Sequence, residues 1–347
     1  MTDAVDRLWA AVVDGDPYAA GDVVLDAHES GMALEDVLLD VIGAVQRRVG
    51  MEWAANRLSV AQEHAATAIN DRTITVLSQA YPRPTAHRGR VTVACVDGEW
   101  HALPARLLAE VLTLRGLRVD YLGAQVPTPH LITHLHRTGP DAVALSSSIA
   151  TRLPTAHATI TACQATGTPV FAGGAAFGPD GRYATLLGAD AWAPDARAAA
   201  DRLTVGPLPR PGVGVTALDL LPHLADQEYT MVSRTAAQLV KAVFTGLDER
   251  YPAMRAYTEV QRSRAAEDIA HIVEFLSTAL YIDDDELFAG FIGWTGDILA
   301  ARGVPAASLT PTLDLLHGEL RDFPRAVRLL AAARDRLTAT LDQGRPA

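Results

Sequence analysis

Residues 89–126 read GRVTVACVDGEWHALPARLLAEVLTLRGLRVDYLGAQV, and this stretch decides the fold. A β-branched apolar run, Val91 to Val96, ends in a glycine-containing loop. The loop places Glu99 two residues before His101, with Trp100 between them. An apolar helical face follows (Leu107, Leu108, Val111, Leu112, Leu114), then a short strand ending Tyr121-Leu122-Gly123. The pattern predicts a βαβ unit with a histidine at the carboxyl end of its first strand. Open parallel sheets bind ligands at that edge.

The pattern continues downstream. Strands are expected at 90–96, 118–121, 141–145, 169–172 and 190–193. Helices are expected at 103–115, 128–138, 153–166, 180–187 and 195–203. Alternation of this kind predicts a doubly wound, flavodoxin-like (Rossmann-like) sheet of order 2-1-3-4-5, with its switch point between strands one and three. Three loops then share one edge: Glu99–His101, Ser146-Ser147-Ser148, and Gly173-Gly174 with Phe177. Hydroxyls and paired glycines let a polar chain lie close to backbone. No dinucleotide or P-loop glycine pattern opens a helix here.

Upstream, residues 1–85 predict a four-helix bundle with helices near 3–14, 17–30, 33–55 and 60–80. Gly15 and Gly31 mark breaks, and Ser59-Val60-Ala61-Gln62 is a capping box. Trp53 closes the third helix, while Glu63 and His64 stand in the first turns of the fourth. An aromatic ring, a carboxylate and an imidazole gathered at one bundle end would suit a lid over a ligand. The bland alternative is a core tryptophan beside ordinary helix-start polar residues.

Composition sets the outer bounds. The chain has 347 residues, formal net charge −11 and two cysteines. Lys241 is the only lysine. That balance argues against a nucleic-acid face, and Cys95 and Cys163 read as buried thiols of a reducing cytoplasm. No apolar run reaches ~18 residues and no signal pattern opens the chain, so a cytoplasmic protein without membrane contact is expected.

The constellation Glu99-x-His101, Ser146-x-Ser148 and Gly173-Gly174, with Tyr121-Leu122-Gly123 in register, resembles the cobalamin-binding domain of methionine synthase and its relatives. That resemblance implies cobalamin at 86–205. It makes His101 the lower axial ligand to cobalt, Glu99 its orienting carboxylate, and the Ser and Gly loops the walls of a slot for the nucleotide tail. Trp100, Tyr121, Gly123 and Phe177 would lie against the cofactor. The sequence departs from the family's Asp-x-His-x-x-Gly loop at Glu99 and at Pro104, which can serve as a first helical residue. Trp53 followed after nine residues by Glu63-His64 is similar to the signature of CarH-type adenosylcobalamin light sensors. It implies that these three residues cap the upper, adenosyl face. The position after Trp53, a histidine in some of those sensors, is Ala54, which leaves the upper cobalt ligand after photolysis undefined. No helix-turn-helix precedes the bundle, so direct nucleic-acid binding is not expected.

A linker at 206–216 is rich in proline and glycine. Residues 217–347 predict an all-α domain with helices near 225–246, 252–263, 264–282, 284–302, 309–319 and 321–342. Its variable connections look globin-like. Tyr229, Arg255, Arg264, His271 and Trp294, with Tyr251, Tyr257, Arg234 and Arg262, offer an imidazole, rings and guanidinium groups of the kind that hold a tetrapyrrole. A cobalamin light-sensor module followed by such a domain resembles the photocobilins. That resemblance implies non-covalent biliverdin, since neither cysteine lies there. It also implies a non-enzymatic photoreceptor, a homo-oligomer whose assembly changes with light, and a downstream effector of unknown kind. Two other readings stay open: a methyl-carrying corrinoid protein, and a sensor binding haem through His271.

Overall fold

The computed structural model describes residues 1–82, 85–86, 88–210, 220–250, 254 and 257–343, with side chains to 339. It divides into two compact units, Met1–Val215 and Thr216–Ala347. Part of the expected linker, 211–216, lies outside the described residues.

The first unit opens with α1 (Thr2–Val13), α2 (Pro17–Glu29), α3 (Leu34–Asp36), a π-helical turn (Val37–Ile42), α4 (Gly43–Ala54) and α5 (Val60–Ala80). Local chemistry fixes the helix starts. Asp16 accepts from the N–H groups of Tyr18 and Ala19, with Pro17 pre-set at the first helical position. Ser59 and Gln62 form the expected reciprocal box at α5. The third helix was expected to run unbroken, and it does not. The Gly43 N–H donates to the Leu38 carbonyl, five residues back. The wider turn lets Val37, Leu38, Val41 and Ile42 all enter the core, while Leu39 and Asp40 line a cavity on the other side.

The α/β part follows as β1 (Arg90–Cys95), α6 (Ala102–Leu114), β2 (Arg118–Gly123), α7 (Thr128–Thr138), β3 (Ala142–Ser146), α8 (Leu153–Ala165), β4 (Val170–Gly173), α9 (Arg182–Leu186), β5 (Ala191–Trp192) and α10 (Ala196–Val205). All pairings are parallel and the strand order is β2-β1-β3-β4-β5, as expected. The β3 residues are buried throughout, which suits a central strand covered on both faces. Pro104, expected to start α6, is instead its third residue. Its missing N–H costs nothing there, because the first four helical donors have no intrahelical partner.

The bundle and the sheet share one apolar core, and ion pairs stitch their rim. Arg115 of α6 grips Glu35 with two donors, at 2.7 and 2.9 Å. Arg197 of α10 reaches Glu35, Asp36 and Asp40 at 3.2, 3.0 and 2.9 Å.

The described elements of the second unit are all helical: a 3-10 turn (Pro222–Asp226), α11 (Glu228–Arg234), α12 (Ala236–Arg250), α13 (Glu259–Ile282), α14 (Asp285–Ala301), α15 (Thr310–Glu319) and α16 (Pro324–Gln343). Two expectations fail. The helix expected at 225–246 breaks between Arg234 and Ala236. The helices expected at 252–263 and 264–282 are largely one rod, because a Thr258–Gln261 capping box starts α13 and nothing interrupts it at 263. The buried carboxylate of Glu228 accepts the N–H groups of Arg325 and Ala326, so α11 caps α16.

Candidate functional site: a histidine floor at the sheet edge

The β1 loop turns tightly, with the Glu99 N–H donating to the Val96 carbonyl at 2.9 Å. This turn drops the Glu99 side chain into the switch point, where the residue is only 1% exposed. Both of its oxygens are saturated. One accepts the His101 backbone N–H at 2.8 Å and the His101 ring Nδ1–H at 2.6 Å. The other accepts the Ser147 hydroxyl at 3.1 Å and the N–H groups of Ser148 and Ile149 at 2.6 and 3.1 Å.

The electrostatics follow from these contacts. Burial alone would push the Glu99 carboxyl up, but the His101 ring, the His101 N–H and the two loop N–H groups together hold it at about 2. The group is therefore an anion and can only accept. The His101 proton facing it must sit on Nδ1, which leaves the Nε2 lone pair pointing away. The carboxylate raises the pKa of the imidazole, against its desolvation, and the charges of Glu99 and Glu63 add to that rise. The His101 side chain is 54% exposed. A carboxylate-oriented imidazole with an open Nε2 is the donor that a metal held in a macrocycle needs. Among the described residues, no group of three or more His, Cys, Asp or Glu side chains is arranged to hold a bare metal ion.

Beside this floor lies a cavity of about 510 Å³. Ser146, Gly173 and Gly174 line it from the sheet, and Leu39, Asp40, Gly43 and Arg47 from the bundle. A Cβ at Gly173 would stand in open space. Gly174, at φ +99°, could not carry one without overlapping the Ser147 carbonyl. The glycine pair therefore keeps a hollow open and lets two loops touch. The residues fit cobalamin: an oriented imidazole for cobalt, and a hollow at the carboxyl edge for a nucleotide tail.

The remaining site residues take several positions. Glu63 is half-buried, accepts from the Thr67 hydroxyl at 2.9 Å, and adds its charge to the field at His101. It thus faces the floor from the bundle. The His64 side chain is 75% exposed, with Nδ1 tied to Glu63 and to the Val60 carbonyl. Trp53 is half-buried against the core of the first unit. Ser148 contributes its backbone N–H to the floor. Trp100 projects outward at 72% exposure. The Tyr121 hydroxyl donates to the Ala102 carbonyl, and Gly123 ends β2 at φ +83°. Phe177, expected against the cofactor, is fully buried in the core instead. Ser147, Arg197, Asp40 and Arg47 are additions that the sequence did not single out.

In the second unit, the expected tetrapyrrole pocket does not close as drawn. Tyr229 lies edge-on to Tyr281, 4.8 Å between centroids, near the carboxyl end of α13. Arg264 lies near the other end of the same helix, about 25 Å along the axis at 1.5 Å per residue. Because α13 is continuous, these two cannot line one small pocket. Phe275 stacks on Phe291 at 3.6 Å, and Trp294 lies 6.3 Å from Phe291, half exposed. The His271 side chain is 66% exposed beside Glu274, which does not suit a buried haem ligand. Arg255 and Tyr251 lie outside the described residues. Among the described residues, no helix is long and apolar enough to cross a membrane.

Comparison with known proteins agrees with the geometry. Residues 89–203 match the B12 binding domain, and residues 4–78 match a second family model of the same description. The HTH-type transcriptional repressor CarA of Myxococcus xanthus is 32% identical over 144 residues, 41% of this chain. The chain spans about half, 46%, of the length of that curated relative. The monomethylamine corrinoid protein of Methanosarcina barkeri aligns with a TM-score of 0.52 at 18% identity, over 59% of this chain and 98% of that one. At that identity the likeness shows the fold alone. Two stretches of the first unit, 4–78 and 89–203, accordingly match B12 binding domains, which supports cobalamin binding there.

Proposed function

We propose that the chain is a photoreceptor that holds adenosylcobalamin in its first unit and biliverdin in its globin-like second unit. The observation that carries the cobalamin half is the oriented imidazole at the sheet edge: Glu99 fixes His101, and Glu63 of the bundle adds its charge to the field at that ring. Bound adenosylcobalamin would supply a cobalt–carbon bond that light cleaves. His101 would hold cobalt through Nε2, Glu99 would fix its tautomer, and the cavity beside Ser146 and Gly173 would receive the tail. Trp53 and Glu63 of the bundle would cover the cofactor. A light-driven change in the bound cofactor would be read out through the bundle, and the assembly state would change with it. The signal passes without catalysis to a second copy of the chain or to an effector. The similarity to a transcriptional repressor supports a regulatory role rather than a metabolic one.

For biliverdin, the half-exposed face of α13 and α14 supports the reading best: His271, Phe275, Phe291 and Trp294, with Arg264 farther along. Neither cysteine lies in this unit, so the ligand is held without a thioether.

The test is absorption and sedimentation of the full chain reconstituted in the dark with both chromophores, before and after green light. A cobalamin spectrum that changes on illumination together with the sedimentation coefficient is expected, with a broad red bilin band. Unchanged spectra and sedimentation would refute the switch. A haem Soret band in place of the red band would refute the bilin. Retention of methylcobalamin and not adenosylcobalamin would favour the methyl-carrier reading.

A further inference from the structure

The tail cavity is walled from two directions, and the walls are joined by charge. Asp40 comes from the bundle and Arg197 from α10, and both line the cavity. They bond to each other at 2.9 Å. The same guanidinium also takes Asp36 at 3.0 Å and Glu35 at 3.2 Å. Asp36 immediately precedes the π-helical turn Val37–Ile42, and Asp40 lies within it. Such turns are rare, mostly a single turn long, and frequent at functional positions. Arg115 holds Glu35 and Asp201 from a position that does not line the cavity. The junction therefore has two parts: a cluster at Arg115 away from the cavity, and a cluster at Arg197 on the cavity wall.

We propose that Arg197, clasped by Asp36 and Asp40, is the gate of this cavity and the residue that discriminates corrinoids by their tails. A corrinoid with a nucleotide tail must part Arg197 from Asp40 to seat the tail. A corrinoid without one rests on the His101 floor and leaves the clasp shut. The clasp is half exposed: the Arg197, Asp36 and Asp40 side chains are 39%, 43% and 40% exposed. Salt therefore reaches it and weakens it. This inference rests on the cobalamin reading of the site.

The experiment is stopped-flow uptake by the full-length apoprotein, in the dark, of two probes. Hydroxocobalamin carries the nucleotide tail, and dicyanocobinamide lacks it. Wild type, Arg197→Gln and Asp40→Asn are compared at low and high sodium chloride. Exposed pairs of this kind each hold back opening by about two- to fivefold. Asp40→Asn should speed hydroxocobalamin uptake by that factor, and Arg197→Gln by more, since it loses three partners. Neither should change cobinamide uptake. Salt should speed hydroxocobalamin uptake by wild type and leave Arg197→Gln nearly flat. Both probes binding, with hydroxocobalamin rates equal in all three proteins, would overturn the gate while leaving the cobalamin reading intact. Equal acceleration of both probes would overturn it too. Failure of wild type to take up either probe would overturn the cobalamin reading, and the gate with it. Asp40→Asn keeps Arg197 and two of its partners, so the comparison stands if Arg197→Gln folds poorly.

Discussion

Replacing Glu99 by glutamine removes one charge and changes almost no volume, and the consequences can be counted. The carboxylate accepts from five donors, two from His101 and three from Ser147, Ser148 and Ile149. Glutamine offers one oxygen and one NH₂ group. With the oxygen turned to the three loop donors, the NH₂ faces the His101 backbone N–H, donor against donor. A buried donor left without a partner costs about 1–3 kcal/mol. The three surviving bonds fall from charge-assisted to neutral, which removes on the order of 1 kcal/mol from the strongest of them. A local loss of about 3 kcal/mol follows, a factor of roughly a hundred in opening equilibrium. Hydrogen exchange of the apoprotein across 147–149 should rise by that order, with helices α1 and α2 unaffected. The imidazole must also change tautomer, since the amide NH₂ donates to Nδ1. Nitrogen NMR of the ring in mildly alkaline solution should show the proton on Nε2, the nitrogen that cobalt would need. Glu99→Asp keeps the charge but falls about 1.5 Å short of one set of donors, so it should lose the Ser148 and Ile149 bonds and keep the tautomer. Exchange at 147–149 within threefold of wild type in Glu99→Gln, with Nδ1–H retained, would refute this account of the floor.

Three further outcomes follow from the same structure. Gly174→Ala forces a Cβ onto the Ser147 carbonyl at a positive φ, so it should destabilise the first unit by more than about 1 kcal/mol, read by thermal unfolding. Burial pushes the Cys163 thiol from 9.0 up to about 12. The unfolded chain gives up that proton first, so the thiol's contribution is complete below about pH 9 and is lost as pH climbs towards 12; Cys163→Ala should flatten that alkaline slope in urea titrations. In the second unit, Trp294→Ala should weaken retention of biliverdin, whereas Tyr229→Phe should leave the red band unchanged, and the reverse result would relocate the site to the Tyr229–Tyr281 end of α13.

The sequence reveals interactions in proportion to how local they are. Glu99 and His101 are two residues apart, so their pairing is visible in the chain, as are the Ser59–Gln62 box and the apolar runs that order the sheet. Ser147 carries no such local mark, because its role depends on a carboxylate 48 residues earlier. Arg197 meets Asp40 across 157 residues, and no spacing rule spans that distance. The π turn leaves no composition mark, since it differs from an α-helix only in which carbonyl each N–H selects. The helix start at Thr258 is legible too: Thr258 and Gln261 repeat the signature of Ser59 and Gln62. That start makes α13 one rod and separates Tyr229 from Arg264.

The floor and the ionic rim between bundle and sheet differ in strength for a physical reason. On the floor, Ser147 N–H donates to the Gly173 carbonyl at 3.0 Å, the Ser147 hydroxyl donates to Glu99, and Glu99 holds His101. Three loops are thus tied through Glu99 and Ser147, both of which are buried. The Arg115 and Arg197 clusters on the junction rim are more than a third exposed on the arginine side or close to it, and each pair contributes at most about 1 kcal/mol. Raising the ionic strength should therefore loosen the bundle's rim against the sheet while leaving the His101 geometry unchanged. A site built this way keeps its imidazole fixed and concentrates its freedom in the bundle rim. Exchange measured against salt tests that division directly: amides of 34–42 should respond, and those of 99–101 and 147–149 should not.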